Sequence, residues 1–219
     1  GKGSSKRRKL VTQPVIADNT VYTIDTKGIV SAYALDSGDR RWRVDIVPDG
    51  EDSSVLSGGL AYDSGRLYVS DGFGYVLSLD GKTGQKIWHF RNEIPVRVAP
   101  TVDKNKVYVI SQSNELIALD ASTGAQLWSF EGLKETASLL GAASPAVKGD
   151  IVLSVFSSGE VYALQSGNGQ VAWSDSLTTI QGGRAGLSQL SDIQALPVIV
   201  GDTAYVVSTG GRLVAINTR

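Results

Sequence analysis

Short apolar runs separated by polar turns fill this chain from residue 14 to its end. The stretch 100–130 shows the pattern plainly. Pro100-Thr-Val is followed by a turn at 103–105, Lys106-Val-Tyr-Val-Ile110, a turn at 111–114, Glu115-Leu-Ile-Ala-Leu119, a turn at 120–124, and Gln126-Leu-Trp-Ser-Phe130. Each run is β-branched or apolar and is bounded by Gly, Asn, Asp or Ser, which predicts four short strands joined by hairpins. Periodicity of the helical kind is nearly absent.

The same unit recurs. Four sets of anchors share one internal spacing: Gly28, Gly38, Trp42; Gly74, Gly84, Trp88; Asn114, Gly124, Trp128; Gly159, Gly169, Trp173. Gly211 opens a fifth set. A tyrosine six residues before the first anchor (Tyr22, Tyr68, Tyr108, Tyr205) marks the facing strand, with Leu153 in the fourth unit. A fixed frame with variable gaps is the mark of a repeated supersecondary unit whose insertions fall in loops. Four-stranded units of about 40–45 residues are those of propeller blades. The expected fold is therefore all-β, a β-propeller of four-stranded antiparallel blades. The tryptophans, at one offset on the outermost strand of each unit, are expected to wedge between neighbouring blades.

The frame divides residues 1–219 into one partial propeller domain. Residues 1–13 form an N-terminal segment or outer strand, 14–58, 59–99, 100–144 and 145–196 are blade repeats, and 197–219 is an incomplete blade. About four and a half blades are expected. The fifth unit stops short of its closing glycine and tryptophan, so the chain reads as a segment of a longer protein.

Composition narrows the function. With 42% hydrophobic residues, a formal net charge of −1 and no long apolar run, this is an ordinary globular composition. Balanced charge gives no reason to expect nucleic acid. The absence of cysteine removes disulfides, thiolate metal sites and a cysteine nucleophile. The basic run Lys6-Arg-Arg-Lys9 reads as a solvated tail or edge strand. The single histidine, His89, occupies a position where the other units carry Arg43, Ser129 and Ser174, so it reads as a surface residue, not a general base. The acidic group Asp45, Asp49, Glu51 and Asp52 lacks a calcium-loop frame and reads as a solvated loop. Asp71-Gly-Phe-Gly74 is similar to part of a dinucleotide loop, but no helix follows, so it reads as a hairpin turn. No catalytic, cofactor or metal site is expected.

The departures from the repeat carry more. Connections between one unit's last strand and the next unit's first are long at 44–59, 131–144 and 174–196, and short at 91–99. Propeller topology places all of them on one face, and the last two long ones flank the same blade. They contain Ala137-Ser-Leu-Leu-Gly141 and Leu187-Ser-Gln-Leu-Ser-Asp-Ile193, apolar for exposed connectors. Two readings stand side by side: a partner site with apolar anchors and a polar rim, or leucines folded down over the blade tops.

The repeats Ser-Leu-Asp-Gly-Lys-Thr-Gly-Gln-Lys-Ile-Trp88 and Ala-Leu-Asp-Ala-Ser-Thr-Gly-Ala-Gln-Leu-Trp128 resemble the quinoprotein-type (PQQ-like) propeller repeat. The linker motifs Leu140-Gly-Ala-Ala-Ser-Pro145, Phe156-Ser-Ser-Gly-Glu-Val-Tyr-Ala-Leu164, Trp173-Ser-Asp-Ser-Leu177 and Leu190-Ser-Asp-Ile193 are similar to those of the BamB family of outer-membrane β-barrel assembly factors. The resemblance covers essentially the whole chain. It implies an eight-bladed propeller in the periplasm, tethered peripherally to the outer membrane by a lipidated cysteine upstream of this sequence. It further implies a non-catalytic scaffold, without cofactor, that docks on the POTRA domains of BamA and assists unfolded outer-membrane proteins. Carried over residue by residue, the docking positions fall on Ala137, Leu139, Leu140, Asp192 and Gln194. Three depart from the family's pattern: a leucine is Ala137, an arginine is Leu140, and an aspartate is Gln194. The pattern's charge pairing is thus partly lost, and Arg184 stands nearby as a substitute cation.

Two other function classes share the repeat. A quinone-dependent dehydrogenase would need a cysteine pair, a channel tryptophan, calcium and a catalytic aspartate; this sequence has no cysteine, and its tryptophans all occupy repeat positions. A generic adaptor or sensor propeller is the third reading, because fold does not fix function.

Overall fold

A computed structural model of the chain describes residues 12–48, 50, 57–96, 98–133, 143–156, 158–176, 196–207 and 213–218. Among these there is no helix, and every regular element is a strand. The chain divides into two compact units, one of residues 1–107 with 120–125 and one of 108–119 with 126–219, and each is considered by itself.

The strands form antiparallel sheets of consecutive hairpins. The first sheet has the order β1 (Val15–Ala17), β2 (Thr20–Ile24), β3 (Ile29–Ala34), β4 (Arg40–Asp45). The second runs β5 (Ser57–Asp63), β6 (Arg66–Asp71), β7 (Tyr75–Asp80), β8 (Lys86–Arg91). The third comprises β9 (Thr101–Asp103), β10 (Lys106–Ile110), β11 (Glu115–Asp120) and β12 (Gln126–Glu131) in sequential order. The fourth is β13 (Ala146–Lys148), β14 (Ile151–Val155), β15 (Glu160–Gln165), β16 (Val171–Ser176). Three described strands, β17 (Val198–Val200), β18 (Thr203–Val207) and β19 (Leu213–Asn217), make the fifth. These are all-β sheets of the propeller-blade type that the repeat predicts.

Local chemistry sets the hairpins. In the β7–β8 turn the Asp80 carboxylate accepts the Thr83 amide at 2.7 Å, the Thr83 hydroxyl at 2.8 Å and the Lys82 amide at 3.0 Å. Those donors hold its carboxyl below the usual range, the Thr83 hydroxyl first. Asp120 repeats the arrangement with Thr123 and Ser122. Both turns end on a glycine at positive φ, Gly84 and Gly124. The Asp71–Gly74 segment is a hairpin turn as expected: Asp71 Oδ1 accepts the amides of Phe73 and Tyr75.

Each outer hairpin carries a register shift at one place in the frame, at Ala32/Tyr33, Ser78/Leu79, Ala118/Leu119 and Ala163/Leu164. A bulge there sharpens strand twist. Just before it, each tryptophan faces a small residue: Trp42 opposite Ala32, Trp88 opposite Ser78, Trp128 opposite Ala118, Trp173 opposite Ala163.

Within each unit the sheets pack face to face through their middle strands. One core gathers Ile24, Val30, Leu60, Leu67, Val69 and Leu79, with Tyr62 and Trp42 against it. Another gathers Leu153, Val155, Val161, Ala163, Ala204 and Val206, with Trp173 and Ile216 against it.

Candidate functional site

The repeated aromatic residues are structural. Trp42 Nε1 and the Tyr22 hydroxyl both donate to the Gly81 carbonyl, at 3.0 and 3.1 Å. Trp88 Nε1 and the Tyr68 hydroxyl converge in the same way on the Ala121 carbonyl, at 2.9 and 3.4 Å. Trp128 Nε1 donates to the Ser166 carbonyl at 3.1 Å. In each case the acceptor lies three residues before the closing-turn glycine of the following repeat. The indole therefore staples one repeat to the next, as the fixed offset predicts. Burial is less uniform than the repetition suggests. Trp88 and Trp128 are buried, whereas Trp42 and Trp173 are only half-buried. Trp173 Nε1 is a buried donor without a partner among the described residues.

The structure describes His89 and, of the acidic loop, Asp45. His89 is exposed on β8, with its ring 6.0 Å from that of Tyr75. Asp45 Oδ1 accepts the Val47 amide at 3.0 Å, a turn contact; Asp49, Glu51 and Asp52 lie outside the described residues. No three potential metal-ligating side chains cluster among the described residues. Asp71 is a more unusual group. Burial pushes its carboxyl up to about 6 against the backbone donors that favour the charged form, and Oδ2 is buried without a partner among the described residues.

The five docking positions, Ala137, Leu139, Leu140, Asp192 and Gln194, all lie outside the described residues, as does Arg184. The structure describes the strands from which their two linkers spring. One linker leaves β12 and returns at β13, the other leaves β16 and returns at β17, so the fourth sheet stands between them. β13 packs against β17, which brings the two return points together.

The root of the first linker is clamped. The Leu133 amide donates to Glu160 Oε2 at 3.3 Å, and the Leu133 carbonyl accepts from Asn114 Nδ2 at 3.0 Å. Glu160 also accepts from the Ser158 hydroxyl at 3.1 Å and from the Tyr162 hydroxyl at 3.0 Å. Burial, and after it the Glu160 carboxylate, raises the Tyr162 phenol. Above this clamp Phe130, Phe156 and Tyr162 pile together, with Phe130 and Tyr162 centroids 4.8 Å apart. The Leu133 side chain is 63% exposed, and Leu196, just before β17, is 56% exposed. Apolar residues are thus presented at described ends of both linkers. Sequence reasoning missed Glu160 and Leu133; the only signal was Glu160 inside one linker motif, where its role was not legible.

Comparison with known proteins gives the following. The profile of the family described as "Outer membrane protein assembly factor BamB" matches residues 26–219. The outer membrane protein assembly factor BamB of Salmonella typhimurium is 36% identical over 210 residues, covering 94% of this chain and 53% of its own length. The chain spans about half the length of the curated relatives it matches. Among solved structures, BamB from Moraxella catarrhalis superposes with a TM-score of 0.81 at 23% identity, over 94% of this chain and 61% of that one. The quinohemoprotein alcohol dehydrogenase of Comamonas testosteroni superposes with a TM-score of 0.66 at 17% identity, over 96% of this chain and 43% of that one.

Proposed function

The chain belongs to the family of the outer membrane protein assembly factor BamB, and from that premise we propose that it serves as a non-catalytic accessory scaffold in the assembly of outer-membrane β-barrels. In this reading it works in the periplasm, held at the outer membrane by a lipid anchor upstream of the sequence, as part of an eight-bladed propeller whose repeats are divided as the frame suggests. Its partner is the POTRA region of BamA. Docking is through residues 137–141 and 187–194, with Leu139, Leu140 and Asp192 as the main contacts and Ala137 and Gln194 beside them.

One observation supports this placement above others: the two linkers flank one sheet and return at β13 and β17, which pack together. A pair of insertions rooted side by side offers a composite surface that neither makes alone. Three departures from the family's docking pattern shift the expected contact from charge pairing towards apolar burial. The quinone-dehydrogenase reading rests on likeness of fold, which carries no activity. It also finds no cysteine pair in this sequence.

Capture on immobilised POTRA domains tests the proposal. Leu139→Ala with Leu140→Ala is expected to cost roughly 2–4 kcal/mol of affinity, because apolar anchors ringed by polar residues concentrate binding energy. Folding, followed by circular dichroism, is expected to be unaltered. Undiminished capture by that double variant carrying Asp192→Ala as well would overturn the assignment of the surface.

A further inference from the structure

The repeat places a phenylalanine two residues after the tryptophan in the second and third units, Phe90 and Phe130. The first unit has Val44 there. Three residues after the first anchor, the fourth unit has Tyr162 and the second has Leu77. Phe130 and Tyr162 close on each other and fill the space between their strands. Where Val44 and Leu77 stand instead, the structure has an open cavity of about 410 Å³.

The cavity is built for more than water. Val44, Leu77 and Leu79 give it apolar walls, and the Tyr75 ring flanks it. Leu77 and Leu79 are buried, so the floor is firm. The rim is unevenly charged. Lys86 and His89 line it from β8, and Arg91 lies over the Tyr75 ring, 5.5 Å from its centroid. Among the described residues Asp45 is the acidic lining residue, and one of its oxygens already takes the Val47 amide.

We propose that this cavity is a binding site for an aromatic side chain carried on an acidic segment of a partner polypeptide. The ring takes the place that the third and fourth units fill with their own aromatic residues, stacking beside Tyr75 over Leu77. Neighbouring carboxylates meet Lys86, His89 and Arg91. Burial of a ring gives most of the affinity, and the exposed cations give direction. The site lies in the unit of residues 1–107 with 120–125 and does not depend on the docking role proposed above.

The test uses the full chain and an acetylated, amidated pentapeptide with one phenylalanine between two aspartates. Calorimetry gives affinity, and the single histidine provides a unique imidazole resonance at the rim. Saturable binding that shifts His89 is expected. Replacing the phenylalanine by leucine, which loses the ring contact with Tyr75, is expected to weaken binding about five-fold, and replacing both aspartates by lysine about five-fold. Val44→Phe restores the residue that the repeat carries elsewhere, and is expected to abolish binding while the sheets remain intact. Lys86→Glu with Arg91→Glu, both exposed, is expected to invert the preference between acidic and basic peptides. Retained binding by folded Val44→Phe, equal binding of the leucine peptide, indifference to charge reversal, or no binding of any peptide would each overturn the proposal.

Discussion

The ring of Trp88 lies directly against Gly124: a Cβ placed on that glycine would come within 2.6 Å of the indole Cε3. The same indole donates to Ala121, three residues earlier. Trp42 on Gly84 and Trp128 on Gly169 repeat the relationship, with 2.8 and 2.6 Å approaches. The tryptophan and the next repeat's glycine are therefore two halves of one joint. Gly38 has the same turn conformation, φ +74° against +76° at Gly124, but among the described residues nothing lies within 4 Å of its added Cβ.

That difference separates backbone strain from packing. Gly38→Ala is expected to cost about 1 kcal/mol, the price of a left-handed conformation for alanine. Gly124→Ala carries the same strain and must also displace a buried indole, so about 2–4 kcal/mol is expected. Urea unfolding of the two variants, at unchanged m value, checks this. Equal costs would mean that the joint relaxes freely.

The hydrogen-bonded half of the joint has its own signature. Trp88→Phe removes one donor to the Ala121 carbonyl, which keeps the Arg66 guanidinium at 2.9 Å and the longer Tyr68 contact at 3.4 Å. A loss of about 1–3 kcal/mol is expected from the missing bond and the smaller ring. Trp173→Phe removes a buried donor that has no described partner. It is expected to cost less than Trp88→Phe, and a thermal melt comparing the two decides.

How much of this was legible in the sequence follows from repetition. Trp88, Gly124 and Tyr68 recur because every joint faces the same geometry, so their spacing alone marks an array and puts the tryptophans at blade contacts. Composition and the place of His89 in the frame likewise made it a surface residue, and it is exposed. What breaks the repeat was less readable. Val44 passes as one more β-branched strand residue, and only its packing reveals the missing ring. Glu160 looks like a polar strand start; its clamp on Leu133 joins residues 27 apart, and no local pattern marks that pairing. The docking positions could be named only through resemblance, since aperiodic linkers carry no frame.

Asp71 predicts a pH effect of definite sign. Its carboxyl stands at about 6 when folded against 3.8 unfolded, raised by burial. A raised folded value means that the folded state holds the proton more tightly. Its favourable contribution is therefore full below pH 4 and is lost as pH rises through 6. The difference amounts to about 2–3 kcal/mol for a group this buried. Asp71→Asn keeps an acceptor for the Phe73 and Tyr75 amides and removes the titration. Relative to the native chain, the variant is expected to gain stability between pH 4 and pH 6.5. Parallel stability–pH profiles would contradict the assignment.

Glu160 predicts an effect on the first linker that ordinary destabilisation would not produce. Its carboxylate holds the Leu133 amide, the Ser158 hydroxyl and the Tyr162 hydroxyl together. Glu160→Ala leaves three donors without this acceptor and is expected to cost about 1–3 kcal/mol. Hydrogen exchange at Leu133 should accelerate more than exchange at Val161 or Ala163 in the middle of the same strand. Glu160→Gln preserves shape and one carbonyl acceptor but removes the charge. The Tyr162 phenol should then titrate lower, since burial still raises it but the neighbouring carboxylate no longer does. If the clamp pre-organises the linker root for a partner, Glu160→Ala should also weaken POTRA capture, and Glu160→Gln, which keeps an acceptor, should weaken it less. Unchanged Leu133 exchange in Glu160→Ala would show that Asn114, bonded to the Leu133 carbonyl at 3.0 Å, holds the root by itself.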